Sequence, residues 1–245
     1  MRGDWPLCLL QERISLMAVI TFASSKGGVG KTTSALTLAS VIAHSGTDVV
    51  LVDGDPNTPL KHWANEWPDL VPKHLEVIAP TSREIIRAID AAAERSPMVI
   101  VDLEGSKNYG INAGIGRADL ALIPMQASQL DANQAAAIVE LIEEKCLEYR
   151  RQIPYRVFFS RSSAAIISKS EKALQSELAA ADIKVMACRL MEREAFRLPF
   201  RIGGTLYGLD KNAVRNPAQA VINAEDFTAE IEKILTEIML VSEVR

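Results

Sequence analysis

The chain has 245 residues, enough for one large domain or two small ones, and its 48% hydrophobic and 24% charged side chains exclude a collagen-like, coiled-coil or disordered chain. A formal net charge of −4, taken as one number, speaks against a nucleic-acid partner. The charge is uneven, however: Arg150–Arg215 carries thirteen basic and six acidic residues, a local +7, which leaves −11 for the rest of the chain.

Residues 1–16 show no periodicity and read as an N-terminal extension, or as sequence upstream of a natural start at Met17. From Ala18 onward, β-rich runs alternate with helical patterns, the signature of βαβ units and a mainly parallel sheet. Ala18–Ala23 (AVITFA) is the first strand, and a helix with apolar positions at Ala35, Leu38, Ala39 and Ile42 follows it to about Gly46. Asp48–Asp53 (DVVLVD) is the second strand; Pro56 and Pro59 break the next stretch, and a weaker strand lies near Leu75–Ala79. Thr81–Glu94 reads as a helix, Met98–Asp102 (MVIVD) and Leu120–Pro124 (LALIP) as buried strands, and Gln129–Arg150 as a long amphipathic helix. Tyr155–Phe159 is a strand, Ser168–Ala180 a helix, Lys184–Ala187 a last strand, and the chain from about Asn216 is helical with a break or two. The expected fold is α/β, one domain over 17–245, with a twisted sheet covered by helices on both faces.

The cysteines Cys8, Cys146 and Cys188 and the histidines His44, His62 and His74 lack metal-ligand spacing, which fits a reducing, cytoplasmic setting and packing or surface roles. No apolar run approaches the roughly 18–20 residues that a membrane helix needs.

The strongest chemical signal is Ser25-Lys26-Gly27-Gly28-Val29-Gly30-Lys31-Thr32-Thr33, set between the first strand and the first helix. A phosphate needs converging backbone N–H groups, which glycines allow, and the following helix adds its positive end. Lys31 would neutralise the β- and γ-phosphates, and the Thr32 hydroxyl would hold Mg²⁺. Ser25 stands where GxxxxGK[ST] has its first glycine, and Lys26 adds a second lysine.

Two further strands end in acids, Asp53-Gly54-Asp55-Pro56-Asn57 and Asp102-Leu103-Glu104-Gly105. In a parallel sheet the C-terminal strand ends share one edge, where ligands bind at the topological switch point. Asp102 then looks like a Walker B acid in the Mg²⁺ shell, and one of the two acids of DGDP positions or deprotonates the attacking water. Any single strand-end Asp also serves as a helix N-cap or turn residue.

These residues resemble a known family. KGGVGKTT at 26–33 looks like the deviant Walker A of the ParA/MinD ATPases, DGDPN at 53–57 is similar to their first switch, and VIVDLEG at 99–105 to their second. ADLALIPMQASQLDANQA at 118–135 resembles the segment and helix that follow, while MERxAF at 191–196 and GGTLYGLD at 203–210 look like the C-terminal halves of small plasmid-partition ParA proteins and their T-DNA-processing relatives. The resemblance implies a Mg²⁺-dependent ATPase that forms an ATP sandwich homodimer. It assigns nucleotide binding to Lys26, Gly27, Gly28, Val29, Gly30, Lys31, Thr32 and Thr33, with Lys26 reaching the partner's phosphates. It gives water activation to Asp55 and water-mediated metal contacts to Asp53 and Asp102. Asn57 departs from the family's usual Gln, and Glu104 from its usual proline or small residue.

Within the family, the cysteines are not placed for the bridging cluster of an iron protein. The C-terminal helix, with Glu230, Glu232, Glu237 and Glu243, is too acidic for anionic lipid, so no membrane partner is expected and Ile231, Ile234, Leu235 and Ile238 face the core. Nonspecific DNA binding has candidates in Arg189, Arg193, Arg197, Arg201, Lys211 and Arg215; the bland alternative is a solvated face with Glu192 and Glu194 pairing the arginines. The implied function is a nucleoid-associated partition ATPase, stimulated by a ParB-like partner, that segregates a plasmid or chromosome region. Positioning of a non-DNA cargo and binding of a specific DNA element, as in T-DNA processing, remain the alternatives.

Overall fold

The computed structural model describes residues 18–104, 109–163, 167–210 and 212–243, so the expected extension at 1–16 lies outside the described residues. Six strands, β1 (Ala18–Phe22), β2 (Val49–Gly54), β3 (Leu75–Ile78), β4 (Met98–Leu103), β5 (Leu120–Met125) and β6 (Tyr155–Phe159), form one sheet in the order β3-β2-β4-β1-β5-β6. Every neighbouring pair is parallel, as strands this short and continuously apolar suggest.

The helices are α1 (Lys31–His44), α2 (Pro59–Glu66), α3 (Ile85–Ala93), α4 (Tyr109–Arg117), α5 (Gln129–Tyr149), α6 (Lys169–Ala180), the single turn α7 (Pro199–Ile202) and α8 (Pro217–Glu243). Successive strand side chains point to opposite faces. Ile20 and Phe22 therefore pack with Leu38 of α1 and Phe227 and Ile231 of α8, whereas Val19 and Ala23 pack with Ile89 of α3, Ile115 of α4 and Ile138 of α5. Helix α1 is buried continuously from Ser34 to Ala43, and its hydroxyls are satisfied locally: Thr37 Oγ1 donates to the Thr33 carbonyl at 2.7 Å and Ser40 Oγ to that of Leu36 at 2.6 Å.

Several elements differ from the expectation. Lys184–Ala187 is no strand; only an isolated bridge joins Val185 to Val157, because the next amides, Ala187 and Cys188, donate to the Glu230 carboxylate at 2.7 and 2.5 Å instead of continuing the ladder. The C-terminal helix runs unbroken over 27 residues, with Pro217 at its start and neither Gly nor Pro inside it. Ile231, Ile234 and Leu235 are buried in the core as expected, and Ile238 packs against it. Helices α2 and α4 were not legible in the sequence.

Candidate nucleotide site

The register brings three strand ends together. Asp102 lies opposite Phe22 at the end of β1 and opposite Asp53 at the end of β2, so the glycine-rich loop and both acidic turns emerge side by side.

The loop between β1 and α1 is shaped by Gly28 and Gly30, whose φ angles of +77° and +96° lie in the left-handed region that side chains disfavour. Its carbonyls are turned to the protein: that of Lys26 accepts from Lys31 Nζ at 3.1 Å, that of Gly28 from Gln126 Nε2 at 3.4 Å, and that of Val29 from Ser160 Oγ at 2.6 Å. Among the described residues, no backbone N–H from Gly27 to Thr33 donates to another protein group. A run of amides left free at the start of a helix is an anion cradle.

Lys31 is buried at 7% exposure. Burial lowers its pKa from the ordinary lysine value, against the attraction of Asp102, Asp55 and Glu104. Asp102 is buried too, and both of its carboxylate oxygens lack a hydrogen-bond partner, although the Thr32 hydroxyl lies close enough to favour the charged form. Burial pushes its pKa up to about 7, with Lys31 and Thr32 opposing the shift. A buried, unpartnered carboxylate beside a threonine hydroxyl fits a hydrated Mg²⁺, which takes few protein ligands and keeps its waters. No group of three or more His, Cys, Asp or Glu side chains able to hold a metal exists among the described residues, so this ion would complete its shell with phosphate and water.

Asp53 is used differently. Its Oδ2 accepts from the backbone N–H groups of Leu60 at 2.8 Å and Lys61 at 2.9 Å, capping α2 from a distance, and its Oδ1 accepts from Asp55 N at 3.3 Å. Burial raises its pKa while these donors lower it. Asp55 sits half-buried in the turn, where its Oδ1 accepts from Asn57 N at 2.8 Å and Asn57 Nδ2 at 3.0 Å. Asn57 thus holds the carboxylate expected to handle water.

Lys26 Nζ contacts Asp131 Oδ1 at 2.6 Å. Asp131 is a residue that the sequence did not mark: its side chain is 1% exposed, and it also accepts from Gln126 N and Ser128 Oγ at 2.9 Å each. Burial alone would raise its pKa, but the bonds from Lys26, Gln126 and Ser128 together hold it below the ordinary carboxylate value.

The basic candidates do not form one free set. Arg189 pairs with the buried Glu171 at 2.9 Å, Arg197 pairs with Glu192, and Arg201 lies 3.9 Å from Glu194. Arg215 is exposed, and Lys211 lies outside the described residues. Arg193 lines a narrow cleft beside the loop.

A contact outside the phosphate region ties these parts together. Gly203 has φ +79°, and a Cβ there would fall 2.8 Å from Trp67 Cβ, just past the end of α2. The segment bearing Arg197 and Arg201 is therefore packed directly on the helix that follows the Asp53–Asn57 turn.

No helix among the described residues is long and apolar enough to cross a membrane. The VirC1 protein family matches residues 17–244. A protein of Rhizobium radiobacter named ParA is 37% identical over 90% of this chain and 99% of its own length. The virC1 protein of Rhizobium rhizogenes is 30% identical over 74% of this chain and 79% of its own. Among solved structures, the MinD cell division protein of Aquifex aeolicus superposes with a TM-score of 0.64 at 18% identity, covering 85% of this chain and 95% of that one. A plasmid partition protein of Borrelia burgdorferi, bound to AMPPNP, superposes with a TM-score of 0.60 at 17% identity, covering 92% and 99%. The chain belongs to the VirC1/ParA family and carries the P-loop fold of the ParA/MinD-type ATPases.

Proposed function

We propose that this protein is a Mg²⁺-dependent ParA-type ATPase that dimerises on ATP, binds DNA without sequence preference and releases it on hydrolysis, thereby segregating a plasmid or chromosome region on the nucleoid. The observation that carries the reading is the loop of free amides beside buried Lys31 and the unpartnered Asp102. The amides of Gly27–Thr33 and the Lys31 ammonium would hold the triphosphate. Thr32 would hold Mg²⁺ directly and Asp102 through water, and the ion when bound offsets charge on the β- and γ-phosphates. Asp53 caps α2 through Oδ2, and its Oδ1, which accepts one bond from Asp55 N, would accept a second from a metal-bound water. Asp55 would orient and deprotonate the attacking water, and Lys26 would leave Asp131 to reach the partner's phosphates.

Exposed Arg197, Arg201 and Arg215 support the DNA arm, since each phosphate contact adds a salt-sensitive increment that a homodimer doubles. A ParB-like protein would stimulate turnover. ATP-dependent retention on random-sequence DNA at low salt tests the reading; no retention sinks it. Lys31→Ala should abolish nucleotide binding. Asp55→Ala should keep ATP-dependent dimers and DNA binding while stopping hydrolysis, and full activity in that variant would remove Asp55 from its role.

A second reading is favoured by the glutamates that neutralise Arg189, Arg197 and Arg201: the same switch positions a non-DNA cargo. Retention on DNA that is absent in every nucleotide state would favour it. Binding to a specific DNA element would instead appear as retention that random DNA fails to compete away.

A further inference from the structure

Arg193 differs from the arginines around it. Arg189, Arg197 and Arg201 each face a glutamate, whereas Arg193 makes no side-chain hydrogen bond or ion pair among the described residues and its Nε is buried without a partner. An N–H withdrawn from water and given no acceptor costs free energy, so such a group marks a place where a ligand supplies the acceptor.

The cleft that Arg193 lines is continuous with the phosphate loop, sharing Gly30 and the first-turn residues Thr33 and Ser34. The metal-side acids lie at the ends of β2 and β4, on one side of β1, whereas the cleft lies toward β6, on the other. A nucleotide with its phosphates on the loop and its terminal phosphate toward Asp102 would run its nucleoside toward this cleft. Leu190, Met191 and Phe196 give the cleft an apolar side that suits the flat face of a base, while Arg161, Glu192 and Arg197 line the rest of it with charge.

We propose that Arg193 reads the nucleoside half of the bound nucleotide, donating its buried N–H to an acceptor on the base, and that it does not belong to the DNA-contacting set. The proposal rests on the ATP-site reading above. Its test compares ATP with inorganic tripolyphosphate, which has the phosphates and no nucleoside, by calorimetry on the full chain. Arg193→Ala should weaken ATP roughly tenfold, as expected for one lost charge-assisted hydrogen bond, and leave tripolyphosphate within about twofold. Arg193→Lys should not restore ATP affinity, because an ammonium lacks the planar fork. At saturating ATP, DNA retention by Arg193→Ala should equal that of the parent.

Equal weakening of both ligands would assign Arg193 to the phosphates or to the fold and overturn the proposal. Unchanged ATP affinity, or a loss of DNA retention at saturating ATP, would overturn it as well. If Arg193→Ala does not fold, Arg193→Gln and Arg193→Lys carry the same comparison. A parent protein that binds neither ligand would sink the ATP-site reading itself, a result distinct from any of these.

Discussion

Lys26 and Asp131, 105 positions apart, form a 2.6 Å ion pair that ties the phosphate loop to the first turn of α5. The pair holds the lysine on its own chain, so the contact proposed across an ATP-bound dimer would require breaking it. Asp131→Asn removes the charge and one of the two acceptor oxygens: its amide oxygen can still accept from Gln126 N, while its NH2 faces Ser128 and Lys26. The expected result is ATP-dependent dimerisation at several-fold lower ATP, followed by size-exclusion chromatography with light scattering, at a cost of about 1–2 kcal/mol in stability. A higher ATP requirement would show that the pair assists the dimer.

Asp102→Asn should raise the stability of the nucleotide-free protein while abolishing the further stabilisation by Mg²⁺ and ATP. The folded-state pKa of Asp102 is raised from 3.8 to about 7, so the folded chain holds a proton that the unfolded chain has lost. Its contribution therefore declines as pH rises between those values. Thermal melts of the parent from pH 5 to pH 8 should show that decline, and melts of Asp102→Asn should lack this component.

Cys188 should be slow toward thiol reagents at pH 8. Burial, together with Glu230 and Asp226 repelling the thiolate, pushes its pKa up to about 11. Glu230→Gln removes one of those charges and weakens the grip on the Ala187 and Cys188 amides. Disulfide exchange with a chromogenic aromatic disulfide should become several-fold faster, and an unchanged rate would show that burial alone protects the thiol.

Gly203→Ala combines a left-handed φ with a Cβ placed against Trp67. Together, the backbone and overpacking costs should reach about 2–4 kcal/mol. Urea denaturation measures the loss, and a shift in tryptophan emission reports whether Trp67 gives way.

The strands and the phosphate loop were legible because each rests on local pattern, a short apolar run or a glycine-lysine string. Helix α2 was hidden because its N-cap comes from Asp53, on the preceding strand, while Thr58 at the cap position has a left-handed φ of 45° and makes no side-chain cap. Helix α4 contains Gly110, Gly114 and Gly116, which suppress helix propensity, and it forms through packing of Ile111 and Ile115 in the core. Counting charge across Arg150–Arg215 suggested a basic face, but charge counts are blind to pairing, and three of the six named candidates have a glutamate beside them. The pairing of Asp131 with Lys26 and the placing of Arg193 beside Gly30 join residues far apart in sequence, which no local window contains.

The seating of Trp67 on Gly203 leaves no slack between α2 and the arginine-bearing segment. A rotation of α2 would press Trp67 against the backbone at Gly203. If the proposed switch at Asp53–Asn57 moves during turnover, this contact would pass the movement on to the segment where Arg197 and Arg201 meet solvent.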